Sequence, residues 1–234
     1  MPSTHLIDDV TYCAFPKATT KFLRALRTNN DRAWFDAHRD EYQAAYVEPA
    51  KAFVSAVAPA LEQIAPGIHA EPRILGSIFR INRDTRFSKD KRPYKDHLDL
   101  WFWEGERKAA QSGFFLRISP ALVGIGAGSH SFDKEALARF RAAAADPGSG
   151  AQLVAIAEEL EEAGFEVGGE RYARVPRGMD PDAPAARLLR HGALFVHHDE
   201  PAKLASDPEH LMATCTSVWG RLAPLHRWIV DHVQ

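Results

Sequence analysis

Between Leu98 and Gly128 the apolar residues recur at every second position, and on either side of that stretch they recur at every third or fourth. This switch of period constrains the fold more than any other feature, because alternation fits a strand and the longer period fits a helix. Leu98, Leu100 and Phe102 point one way along an extended chain, while Asp99, Trp101 and Trp103 point the other. Phe114–Ile118 and Leu122–Gly128 continue the pattern, with a turn at Pro120. Strands this close in sequence pair most simply as an antiparallel meander. Another strand is expected before them over Ile74–Ile81, and short ones after them near Phe165–Val167 and Ala193–Val196.

The flanking regions read as helices. Thr19 and Thr20 are suited to cap a helix carrying Phe22, Leu23 and Leu26. Asn29-Asn30 ends it and can cap the next, with Trp34, Phe35 and Tyr42 as its apolar residues. Pro49 fits the first turn of a third, whose inner stripe is Phe53, Val57, Leu61 and Ile64 and which Pro59 is expected to bend. After Ser131 come a helix with Leu137 and Phe140, one opened by the capping box Ser149-x-x-Gln152 and closed at Gly164, and a short one over Pro184–Arg190 closed by Gly192. A second box, Ser206-x-x-Glu209, is read as opening the C-terminal helix, with Pro224 interrupting it. No Gly/Ser linker or repeat divides the chain. The expectation is a single α+β domain over residues 1–234, with helices from both ends packed on a mainly antiparallel sheet of about four to six strands.

The 234 residues, 45% of them hydrophobic, suffice for a core without a disulfide or a metal. Cys13 and Cys215 have no metal-site spacing and read as the reduced thiols of a cytosolic protein. Met1–Asp9 lacks the basic and apolar regions of a secretory signal. The longest apolar run, Ala52–Ala60, contains Ser55 and Pro59 and is too short to span a membrane. A cytoplasmic location and no membrane partner are therefore expected, while nothing in the sequence sets an oligomeric state. The net charge of −2 lacks the basic footprint of a general nucleic-acid binder.

That charge is unevenly spread. Residues 80–97 hold seven Lys or Arg against three Asp, a local +4, so the whole-chain −2 leaves −6 elsewhere. Arg80, Arg83, Arg86, Lys91 and Lys95 are the candidate ligands for an anion, since a guanidinium offers a rigid pair of donors to phosphate or carboxylate. Asp84, Asp90 and Tyr94 are the candidate supports that orient them. If the preceding strand ran on, Arg80, Asn82, Asp84 and Arg86 would share one face. The alternative is structural: the same aspartates could consume the arginines and fasten the loop as an ionic clasp in a scaffold or interaction domain. A nucleic-acid contact, with Trp101 and Trp103 as stacking platforms, is a weaker third reading, because the patch is small and its surroundings acidic.

The run from Arg80 to Lys95 resembles the signature R-x-x-R-D-x-R-F-S-x-D-K-x-P-Y-K of the bacterial and fungal family known as domain of unknown function 2461. Phe22-Leu23 with Asn29-Asn30 and Trp34-Phe35, the Gly126-x-Gly128 end of a strand, and Pro176-Arg177-Gly178 with Asp180 and Pro184 are similar to it as well. At Gly128-Ser129-His130 the chain departs from the family, which carries a bulkier, often aromatic residue after the glycine. The resemblance spans nearly the whole chain and implies the family's domain. It brings no reaction, cofactor or catalytic residue with it.

Other candidates carry less. Gly124, Gly126 and Gly128 share one strand face with Leu122, leaving room for a packed helix, for the indoles of Trp101 and Trp103, or for a ligand floored by backbone. His197-His198-Asp199-Glu200 reads as a solvated loop, and in a strand its two histidines would point apart and could not share an ion. His226 and His232 do not fall on one helical face. Ser88-x-x-Lys91 has the spacing of an acyl-enzyme serine and lysine, but Pro93 argues against the helix that chemistry needs. No H-E-x-x-H, P-loop or G-x-S-x-G occurs, and the sequence nominates no metal and no cofactor.

Overall fold

The computed structural model describes residues 14–106 and 112–234, so the Met1–Asp9 segment and Cys13 lie outside the described residues. Cys215 is fully buried, and burial pushes its thiol pKa upward, which leaves it unreactive.

The chain runs α1 (Lys17–Thr28), α2 (Arg32–Ala37), α3 (Arg39–Tyr42), a π-helical turn (Gln43–Val47), α4 (Glu48–Ile64), β1 (Ile68–His69), β2 (Leu98–Glu104), β3 (Gly113–Ile118), β4 (Leu122–Ser129), α5 (Lys134–Ala145), α6 (Pro147–Glu162), β5 (Glu166–Glu170), β6 (His191–Pro201) and α7 (Leu211–Val233). The strands form one six-stranded sheet in the order β1-β2-β3-β4-β6-β5, each antiparallel to its neighbours. The fold is α+β, and the meander expected from the alternation is its centre.

One face of the sheet makes the core. Leu98, Leu100, Phe102, Phe114, Leu116, Ile118, Val123, Ile125, Ala127, Leu194 and Val196 are all buried on it. Burying each of the larger side chains stabilises by about 1.5–3 kcal/mol, so slipping the register by one residue would forfeit the whole set. Helix α7 lies on this face: Trp219 packs edge-on to Phe102 at 5.5 Å, and its indole donates to the Phe115 carbonyl at 3.2 Å. The two preceding helices clasp α7 from outside, Trp228 donating to the Ser149 carbonyl and Arg139 to that of Val233. Helix α4 lies beside α7 and β1, and Pro49 sits in its first turn as read. Among the described residues no helix is long and apolar enough to cross a membrane.

Several local expectations give way to tertiary packing. Ile74–Ile81 is not a strand: Leu75 takes a left-handed φ of 65° and the chain curls so that Ile74 and Ile78 bridge each other. Only residues 77–79 reach the β2 edge, where Phe79 N–H donates to Asp99 and Trp101 N–H to Ser77. The helix caps fall elsewhere too. Thr19 lies inside α1 with its hydroxyl on the Ala45 carbonyl, and Asp31, not Asn30, caps α2. Asp146 caps α6 in place of Ser149, because its carboxylate accepts from the N–H groups of Gly148 and Ser149. Asp207 accepts from Glu209 and His210 just ahead of α7, where the Ser206 box was expected. Both Pro59 and Pro224 lie inside continuous helices. Over Pro184–Arg190 only Leu188–Arg190 is helical, as a single 3-10 turn. The His197–Glu200 stretch is not a loop but the end of the eleven-residue β6.

Candidate functional site

Two regions gather the solvent-accessible polar chemistry: the basic loop and a cleft on the sheet face opposite the core. The loop folds back on itself. Arg83 N–H donates to Pro93 O, Lys95 N–H donates to Ile81 O, and Asn82 and Tyr94 form a bridge between them. This neck is fastened to the helical layer. Asn30 donates its amide to the Tyr94 carbonyl and accepts from the Tyr94 N–H, both at 3.0 Å. The Tyr94 ring is buried and stacks on Phe35 at 4.2 Å.

Beyond the neck the charges pair among themselves. Asp84 accepts from the Arg86 backbone, Nε and Nη2. Asp90 accepts from Arg83 Nη1 at 2.8 Å and from the Arg92 backbone and guanidinium. Hydrogen bonds from Arg86 hold the Asp84 pKa at about 2, and those from Arg92 and then Arg83 hold Asp90 below the usual carboxylate range. Lys91 donates to the Thr85 carbonyl. Arg80 is exposed and makes no hydrogen bond to any described residue. Phe87, at the tip, is 96% exposed. Ser88–Lys91 is not helical. Of the nominated cations, Lys95 alone reaches the cleft: its ammonium lies 3.3 Å from Asp99 Oδ2 and 4.8 Å over the Phe79 ring.

The cleft follows from register. Paired residues of antiparallel strands share a face, so the residues alternating with the core set line up in rows. One row runs Asp99, Arg117, Gly124, Asp199 across β2, β3, β4 and β6. The next runs Trp101, Phe115, Gly126, His197, and a third Trp103, Gly113, Gly128, Phe195. Each glycine answers a neighbour. A Cβ on Gly113 would lie 2.8 Å from the Trp101 indole, one on Gly126 2.2 Å from Phe115 Cζ, and one on Gly168 2.5 Å from the Phe195 ring. The Phe115 ring of β3 therefore occupies the Gly126 part of the stripe for which the sequence offered the indoles of Trp101 and Trp103, while the Phe195 ring of β6 covers Gly168 on β5. Trp103 is itself buried and stacked on His69, out of reach of a base. At Gly124 no ring covers the floor; its nearest neighbour would be Asp199 Oδ1 at 3.1 Å.

The result is a cavity of about 700 Å³ whose lining includes Phe79, His97, Asp99, Trp101, Arg117 and Asp199, a volume in the small-molecule range of about 300–1,000 Å³. Asp99, 15% exposed, anchors its charged corner: Arg117 Nε donates to Oδ1 at 2.7 Å, and Lys95 and His97 Nε2 lie at 3.3 Å from Oδ2. Burial alone would raise the Asp99 pKa, but the hydrogen bonds and charges of His97 and Arg117 outweigh it and hold the carboxyl well below its ordinary range. The Nη groups of Arg117 make no hydrogen bond to any described residue, and its side chain is 52% exposed. Asp199 likewise has no hydrogen-bond or ion-pair partner among the described residues. His197 sits 3.5 Å from Glu166, with its Nδ1 buried and unpartnered. His198 turns to the opposite face, toward Phe165, as strand alternation requires. Although His130 as a residue is exposed, its ring lies against Phe115 and Phe195. That burial, and then the charge of Arg117, lowers its pKa, so the imidazole is neutral at pH 7.

A profile of the family described as "Conserved hypothetical protein (DUF2461)" matches residues 18–228. The chain belongs to that family. No curated protein matches it. In this DUF2461 chain the motif resembling the family's signature forms the loop and its neck, while Arg117, Phe115 and Phe195 escape sequence reasoning and Asp199 enters it only within the His197–Glu200 stretch read as a loop. The glycine stripe of β4 was their one local signal.

A third polar cluster has the composition of a catalytic triad. Ser112 Oγ lies 2.9 Å from His226 Nδ1, and His226 Nε2 lies 3.3 Å from Glu104, which also pairs with Arg227. Ser112 and His226 are 0% and 1% exposed, so no substrate reaches the hydroxyl, and the cluster ties α7 to the sheet. No group of three or more His, Cys, Asp or Glu side chains able to hold a metal occurs among the described residues.

Proposed function

We propose that this protein binds a small anionic molecule in the cleft, with Arg117 as its principal anchor and Lys95 adding charge. The observation that carries the reading is that two permanent cations share the single carboxylate of Asp99 at the mouth of an aromatic-walled cavity. Asp99 alone cannot neutralise both, so the field at the Arg117 end of the row is positive, with the Asp199 carboxylate beyond Gly124 at the other end, and partial exclusion of water strengthens it. The free Nη edge of Arg117 is the geometry that takes two oxygens of a phosphate or carboxylate. On this reading Arg83, Arg86 and Arg92 serve the loop as its clasp, and only Lys95 carries the motif's charge to the ligand.

The second reading places the anion on the loop itself, at Arg80 and Arg86, and the exposure of both side chains favours it. Calorimetric titration with phenyl phosphate separates the two. Binding lost in Arg117→Gln and kept in a double Arg80→Ala, Arg86→Ala variant supports the cleft. The reverse pattern moves the site to the loop, and no binding by the wild-type chain removes both.

A further inference from the structure

Arg117 and Asp199 stand in the same row, with only Gly124 between them, yet they do not pair. Two inter-strand spacings put their Cα atoms roughly 9–10 Å apart. Arg117 is turned to Asp99 on the other side, and Asp199 overhangs the glycine floor without a partner among the described residues. Filling the position between them with any side chain would close this gap, since a Cβ on Gly124 already meets the Asp199 carboxylate at 3.1 Å. The adjoining row places the rings of Trp101 and Phe115 alongside, both lining the cavity. A cation and an anion held apart across an open floor, beside aromatic walls, form a two-ended receptor.

Resting on the anion reading above, we propose that the ligand is a flat amphoteric molecule. Its anionic group meets Arg117, its ring lies along the aromatic wall, and an amine or other hydrogen-bond donor at its far end meets Asp199. A para-substituted phenyl ring suits the interval, because Asp199 leans over the glycine floor while Arg117 turns its guanidinium away toward Asp99 and keeps the two ends apart. A charge-assisted hydrogen bond to Asp199 contributes about 1.5–3 kcal/mol, roughly a ten- to hundredfold preference for a ligand that carries the donor.

The test is calorimetry with two matched probes, phenyl phosphate and 4-(aminomethyl)phenyl phosphate. The wild-type chain is expected to prefer the amine roughly ten- to hundredfold. In Asp199→Asn the preference should fall to near unity, and in Arg117→Gln both probes should weaken together. Circular dichroism of each variant checks that the fold is kept, as is expected for exposed side chains. If the wild type binds both probes equally, or Asp199→Asn keeps the preference, the two-ended receptor is overturned while the anion site stands. If neither probe binds, the anion reading fails and takes this inference with it.

Discussion

In the loop, Asp84 is taken by Arg86 and Asp90 is shared by Arg83 and Arg92; in the cleft, Asp99 is shared by Lys95, His97 and Arg117 while Asp199 has no partner among the described residues. The residue types are the same and the arrangements differ in span. Two of the loop's pairs close between residues two apart, in water, so they shape the loop without tying it to the rest of the molecule. The tie is made at the neck by Asn30 and Tyr94, 64 positions apart. Of the cleft's pairs, Lys95 and His97 reach Asp99 from four and two residues away, but Arg117 reaches it from β3 and is partly shielded, so that pair fixes strand positions and leaves donors over. A long charged motif therefore need not be where charge is available to a ligand.

Three substitutions press on that contrast. The largest expected loss comes from Asp99→Asn, which leaves Arg117, Lys95 and His97 facing an amide. Hydrogen bonds to a charged group are worth about 1.5–3 kcal/mol, which for a chain of this length means a melting temperature lower by roughly 5–10 °C at pH 7. Its pH dependence has a definite sign. The folded pKa of Asp99 lies below its ordinary value of 3.8, so its contribution is whole above that pH and shrinks as the pH falls beneath it. The gap in melting temperature between wild type and Asp99→Asn should narrow from pH 5 to pH 2. A constant gap would show that the carboxylate's charge is not what stabilises.

Asn30→Ala comes next. It removes both bonds to the Tyr94 backbone, about 1–2 kcal/mol together, and hydrogen exchange at Arg83 and Lys95 should quicken as the neck loosens. Arg86→Ala is the smallest. Its side chain is 77% exposed and its ion pair among the described residues is local, so the melting temperature should stay essentially unchanged. A large fall there would make the loop's ionic pairs a structural clasp for the whole fold and erase the contrast.

Much of the scaffold was legible because it rests on local periodicity. The pleat fixes an alternation of two, so Leu98–Trp103, Phe114–Ile118 and Leu122–Gly128 announce themselves, and Pro49 and Gly164 mark helix ends by their own backbone chemistry. Caps were misread where a nearby aspartate outcompeted serine or asparagine for the free N–H groups, as Asp31, Asp146 and Asp207 do. The Ile74–Ile81 strand failed because its apolar residues pack around a left-handed turn at Leu75.

By itself the sequence determined the α+β class, the antiparallel meander, the charged loop and the family to which it belongs. Each is written in neighbouring residues and in the periods that backbone geometry imposes. Only the tertiary structure decided which charges remain available. Arg117 acquires Asp99 as a partner, Gly124 as an open floor and Asp199 as a counterpart across it through strand register alone. Register is set by the buried face of the sheet, where Leu98, Leu116, Ile125 and Val196 pack together, and no local pattern records what that packing places side by side on the face beyond.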